Sequence, residues 1–266
     1  MLRNLNNLLG HRIQATDGEL GKVDEFYFDD MTWNLRYMVA ETGGWLSGRK
    51  VLISTAALRA PDWKSKTFPV ALTRKKVLKS PDIDTQKTVT RRHELELHKH
   101  YAWPLYWGEG FYAGGMAGGL LFPPTREERE TPPGAPGREA PEETHLQSTR
   151  AVTGYRIHAA DGPVGHVTDY IIDDGKWNIL YLVADTGTWL PGRKVLVSPH
   201  WIERVDWETS EVFVDLTRDA IRKSPEFDPS QPVSWDYESA LHDHYGRPKF
   251  ETFVNRAIAS PRGRKR

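Results

Sequence analysis

Residues 10–54, GHRIQATDGELGKVDEFYFDDMTWNLRYMVAETGGWLSGRKVLIS, return as residues 154–198, GYRIHAADGPVGHVTDYIIDDGKWNILYLVADTGTWLPGRKVLVS. The match continues without a gap from Gly10/Gly154 to Tyr101/Tyr245 at a constant offset of 144 residues, and about 41 of the 92 aligned pairs are identical. The chain is therefore a tandem duplication. A unit of about 90 residues exceeds the period of solenoid repeats and is long enough to enclose a modest core of its own. Two small domains follow.

Each copy reads as β structure. In copy 1 the alternating apolar segments are Arg12 to Ala15, Gly21 to Phe28, Leu35 to Ala40, Lys50 to Ile53 and Thr67 to Ala71. Asp17-Gly18 and Asp161-Gly162 signal hairpins, and Asp29-Asp30 and Asp173-Asp174 mark the next reversal. A third reversal, bracketed by Gly43 and Gly48 or by Gly187 and Gly192, carries Trp45 or Trp189 at its tip. Short strands in series need to curl to cover their edges, so a small antiparallel barrel is expected over a flat sheet. Thr73 and Thr217 then cap a short helix that stops before Pro81 or Pro225, and a second helix starts at Thr90 or Ser234.

Around the copies lie residues of other character. Residues 1–101 form domain one and 154–245 domain two, with 102–153 between them and a basic tail at 246–266. The connecting stretch opens with Trp103, Tyr106, Trp107, Phe111 and Tyr112, expected to pack back on copy 1, and passes into a Pro- and Glu-rich segment expected to be a disordered linker. Across all 266 residues, 36 Lys+Arg balance 36 Asp+Glu and there is no Cys, which excludes a disulfide scaffold and a thiolate metal site. Zero net charge argues against coating nucleic acid through global charge. The absence of a long apolar run leads us to expect a cytoplasmic protein with no membrane span.

The string DG-x-x-G-x-V, the Asp-Asp turn, W-N-[LI]-x-Y-[ML]-V-A-[ED]-T-G-x-W-L-x-G-R-K-V-L and the closing Ser-Pro resemble a PRC-barrel, present twice. The resemblance implies a mainly β fold of two small antiparallel barrels in tandem, each with short C-terminal helices. The family includes the cytoplasmic domain of the photosynthetic reaction-centre H subunit and the C-terminal domain of a ribosome maturation factor. Those relatives imply docking to other macromolecules and no shared reaction.

Three groups of residues carry candidate chemistry. Glu94, His98 and His100, repeated as Glu238, His242 and His244, have the spacing of helical metal ligands, but only two of each set share a face, and the simpler reading is a polar surface helix. Trp45 with Arg49, and Trp189 with Arg193, have the composition of an interface anchor. The competing reading folds each Trp into the barrel mouth and pairs each Arg with an Asp turn. Arg74, Lys75, Lys76, Lys79, Arg91 and Arg92 are candidates for an anion-binding face. No nucleophile, base and orienting group recur together, so neither an enzyme nor a cofactor is expected. Residues 1–101 hold 17 Lys+Arg and 12 Asp+Glu, against 11 and 16 in residues 145–250, an opposition that fits either pairing of the copies within or between chains or unselected surface drift. These features point to a non-enzymatic adaptor with an unidentified protein partner. RNA or ribosome association, and regulation at a membrane surface, are the alternatives.

Overall fold

The computed structural model describes residues 1–46, 48–81, 89–107, 145–187 and 193–248. The chain opens with β1 (Leu2–Asn4) and a 3₁₀ turn, Leu5–Leu8. Copy 1 then supplies β2 (Arg12–Ala15), β3 (Gly18–Asp29), β4 (Leu35–Thr42), β5 (Lys50–Ser54), β6 (Thr67–Pro69), α1 (Arg74–Leu78) and α2 (Arg91–Tyr101). Next come β7 (Leu146–Ser148) and α3 (Thr149–Val152), within the stretch read as connecting sequence. Copy 2 follows with β8 (Arg156–Ala159), β9 (Gly162–Asp173), β10 (Asn178–Asp185), β11 (Lys194–Val197), β12 (Ile202–Asp206), β13 (Glu211–Val214), α4 (Arg218–Lys223) and α5 (Trp235–Tyr245).

Two sheets result, and the fold is mainly β, with short helices after the strands of each copy. One runs β5-β4-β3-β2-β6, with β7 added to β3; the other runs β11-β10-β9-β8-β13-β12, with β1 added to β9. The hairpin pairings are antiparallel, as the turn signals require. The exceptions are β2 with β6 and β8 with β13, which are parallel. A parallel partner cannot arise from a tight hairpin; here the chain leaves β5, crosses over, and returns alongside β2 in the same direction.

By spatial contact the chain divides into two compact units. One contains Gly10–Tyr27 and the chain from Arg36 to Leu146; the other contains Met1–Leu9, Phe28–Leu35 and the chain from Gln147 onward. Copy 2 thus incorporates the first nine residues of the chain and the tip of the β3–β4 hairpin.

Local chemistry explains the duplicated motifs. Gly21 and Gly165 stand where the first long strand bends over the next, and a Cβ there would lie 2.1 Å from the Glu41 carbonyl oxygen and 1.9 Å from that of Asp185. No other residue type fits. The Asp of each Asp-Gly pair works at a distance, since Asp17 Oδ1 accepts from the Arg74 N–H and Asp161 Oδ1 from the Arg218 N–H, both at 2.7 Å. Thr73 and Thr217 cap the same helix starts by accepting from Lys76 and Ala220. Asp29 Oδ1 closes its turn by accepting from Met31 N, Thr32 N and Thr32 Oγ1, and Asp173 accepts from Gly175 N, so these carboxylates serve turn geometry.

Candidate functional site

The third hairpin was expected to present Trp45/Arg49 and Trp189/Arg193. Its stem closes identically in both copies: the Thr42 hydroxyl donates to the Arg49 carbonyl at 2.6 Å, and Thr186 does the same to Arg193 at 2.9 Å. Each arginine then reaches the end of the short helix that follows the strands of its copy. Arg49 Nη2 donates to the Ser80 carbonyl at 2.5 Å and lies 3.3 Å from the Ser80 hydroxyl, and Arg193 Nη2 donates to the Ser224 carbonyl. The Arg of G-R-K and the Ser of the Ser-Pro stop are two ends of one clamp, which ties the hairpin stem to the end of the short helix. Sequence reasoning paired these arginines with neither serine, because 31 residues separate the partners. Residues 188–192, with Trp189, and the side chain of Trp45 lie outside the described part of the structure.

The six basic positions are not brought together as one face. Lys75 on α1 and Lys79 just after it are exposed to solvent, and Arg74 lies against Gly18. Lys76 Nζ donates to the Tyr101 carbonyl at 3.1 Å. Arg92 is exposed and lies 3.7 Å from Glu96. Arg91 is buried, with Nη1 2.8 Å from Glu94 Oε2 and its guanidinium 4.3 Å from the centroid of the Trp107 ring. The basic residues of the C-terminal tail, Arg262 to Arg266, fall outside the described residues.

In the second helix Glu94 and His98 are buried, and in copy 2 His242 is buried and Glu238 half-buried, where a surface helix was the simpler expectation. Glu94 is 0% exposed and His98 3% exposed. Both meet Tyr37 of β4, a residue that spacing along the chain does not connect to them. The Tyr37 hydroxyl donates to Glu94 Oε1 at 3.0 Å, and His98 Nε2 lies 2.6 Å from the same oxygen. A phenol has one proton, so with that proton donated to the carboxylate the phenol oxygen accepts from the imidazole Nε2–H. Copy 2 repeats the arrangement, with Tyr181 2.8 Å from Glu238 Oε1 and 2.7 Å from His242 Nε2. The last His of the motif is also held in place, with His100 Nε2 meeting the Lys76 carbonyl at 2.9 Å and His244 Nε2 the Ala220 carbonyl at 2.8 Å. The E-x-x-x-H-x-H pattern therefore latches the second helix to a core strand and to the first helix.

Burial sets the electrostatics. It pushes the Glu94 carboxyl up from its ordinary value, opposed by bonds from Tyr106 and Tyr37 and by the Arg91 charge. It pushes the His98 imidazole down, so the ring is neutral near pH 7. The Tyr37 and Tyr181 phenols are raised by burial and then by their carboxylate neighbours. Among the described residues, no three His, Cys, Asp or Glu side chains are grouped to hold a metal ion.

The copies differ in what covers the latch. In copy 2, Trp201 packs at 5.5 Å from the His242 ring and 4.8 Å from Tyr245. Its counterpart in copy 1 is the buried Ala57, and the space is taken instead by Trp103, 5.9 Å from His98 and stacked on Tyr101 at 4.1 Å. Tyr106 follows, donating to Glu94 at 2.6 Å under the Arg36 guanidinium, 3.9 Å from its ring centroid. The described part of the aromatic segment, residues 102–107, thus packs on copy 1.

Among the described residues no helix is long and apolar enough to cross a membrane. Compared with known proteins, the chain matches the family model of the PRC-barrel domain over residues 2–70. No curated protein matches it.

Proposed function

From the premise that this chain carries a PRC-barrel domain at residues 2–70, we propose that it is a non-enzymatic adaptor that docks a protein partner through its duplicated hairpin loops. PRC-barrels are a binding-type domain family, which supports the general role. The observation that carries the specific reading is the paired clamp of Arg49 on Ser80 and Arg193 on Ser224. A loop whose stem is tied to the body of its domain presents its tip with little ordering cost on binding. Two such loops in one chain allow bivalent capture, which raises avidity by about 10²–10⁴ when both engage together. The Glu–His–Tyr sets are occupied in holding helices, and this supports an adaptor over an enzyme.

The test is capture of partners from the native host at low salt by the tagged chain and by a Trp45→Ala/Trp189→Ala variant, each with and without nuclease. One dominant nuclease-resistant protein, retained by the wild type and lost by the folded variant, is the expected result. Loss of folding in the variant would instead assign the tryptophans to the core and remove the loops from the proposal.

A second reading, association with RNA, draws on Lys75 and Lys79, which stand exposed on α1 and at its C-cap. It predicts ribosomal proteins that disappear on nuclease treatment, together with salt-dependent binding to labelled RNA that weakens in a Lys75→Glu/Lys79→Glu variant.

A further inference from the structure

The strand β1 belongs to one domain in sequence and to the other copy in space. It lies inside the 2–70 match, yet it pairs antiparallel with β9 of copy 2, with Leu2 opposite Asp173, Arg3 opposite Ile172 and Asn4 opposite Ile171. Side chains lock that register. Asn4 Nδ2 donates to Asp169 Oδ2 at 3.0 Å, the Asn6 N–H to Asp169 Oδ1 at 3.1 Å, and Asn6 Nδ2 to the Thr168 carbonyl at 3.1 Å. Leu5 and Leu8 of the following turn are fully buried. The corresponding segment ahead of copy 2 behaves in kind, since β7 pairs with β3 of copy 1. At each junction between this segment and its own copy stands a glycine with positive φ, Gly10 at +75° and Gly154 at +96°, where other residues are strained.

An element covalently part of one domain, packed into another, and joined by a glycine hinge has the geometry of domain swapping. We propose that the β9 edge is a strand-accepting surface whose partner in trans is the N-terminal segment of a second copy of this chain, so that two chains associate by exchanging residues 2–8. The surface is selective for that segment. It offers a backbone ladder, a carboxylate and a carbonyl placed for two asparagines, and burial for two leucines. The contacts made in trans are those already made within one chain. The balance therefore depends on chain concentration against the effective concentration that the covalent connection supplies.

Because the chain has no cysteine, introduced thiols report the exchange cleanly. One full-length chain carrying Leu2→Cys and another carrying Asp173→Cys are unfolded together, refolded at high concentration and oxidised. The expected product is a covalent heterodimer whose yield rises with concentration during refolding, and which is lost when Leu5→Asp and Leu8→Asp are added to the first chain. A chain carrying both cysteines is oxidised in parallel. If it closes its intrachain bond while the mixed chains give no heterodimer above the level of each variant alone, exchange between chains is overturned. If it fails to close that bond, the β1–β9 pairing is itself refuted and the proposal falls with it.

Discussion

Tyr37 has one hydroxyl proton and two buried neighbours, Glu94 and His98, arranged around the same oxygen. Replacing it with Phe keeps the ring in the core but leaves the carboxylate and imidazole each short of a partner, a cost of about 1–3 kcal/mol. Urea unfolding of Tyr37→Phe should show that loss, and Tyr181→Phe should show a similar one in copy 2. The same cluster makes stability depend on pH. Burial depresses His98 below its ordinary 6.5, so the folded chain binds this proton less readily than the unfolded chain. The contribution of the neutral ring is complete above about 6.5 and is lost as the pH falls through that value toward the depressed one. His11, lowered by burial and by Lys66, adds in the same direction. Glu94, raised by burial from 4.5, runs the other way, its contribution growing as the pH falls through its raised value. A His98→Gln variant should be less stable at about pH 7.5 yet lose less between about pH 7.5 and about pH 5.5 than the wild type, measured by denaturant midpoints.

At the scale of elements, the two copies solve one packing problem with tryptophans from different places. Copy 2 supplies Trp201 from the 3₁₀ turn after β11, and copy 1 supplies Trp103 from just beyond α2, over the buried Ala57. Trp103→Ala should destabilise copy 1 by about 2 kcal/mol, below the usual range for a fully buried Trp because the side chain is partly exposed. Adding Ala57→Trp should recover part of that loss, since the equivalent site in copy 2 already seats a Trp. A double-mutant cycle read by denaturant unfolding checks it, and additive losses would mean that the two sites are independent. The helices themselves were legible in sequence because their stops and caps are local: Thr73, Thr90, Thr217 and Ser234 each accept the N–H three residues on. The Trp exchange was not legible. Nothing in an Ala at 57 says which distant ring fills the space beside it.

At the scale of the molecule, copy 2 is completed by the first nine residues of the chain. A Leu8→Asp substitution puts a charge into a fully buried position, at a cost of several kcal/mol. Although residue 8 precedes copy 1, the damage should appear in copy 2. Hydrogen exchange should show lost protection in β9 and β10, with β4 and β5 retaining theirs. Loss confined to copy 1 would contradict the observed pairing.

What the sequence by itself determined is whatever side chains specify locally or by repetition. The alternation of apolar residues sets strands, Asp-Gly and Asp-Asp set reversals, Thr and Ser set helix starts, and the 144-residue offset marks a repeated sequence unit. The tertiary structure alone decided the partners. Arg49 reaches Ser80, Tyr37 reaches Glu94 and His98, Asp17 caps α1, and β1 adds to β9. The strand exchange was the least legible of these. The segments 2–4 and 146–148, LRN and LQS, share only their leucine, so the repeat fades just where the exchange occurs. Strand addition is carried largely by backbone N–H and C=O groups, which every residue except proline possesses, so its register leaves little mark on the side chains.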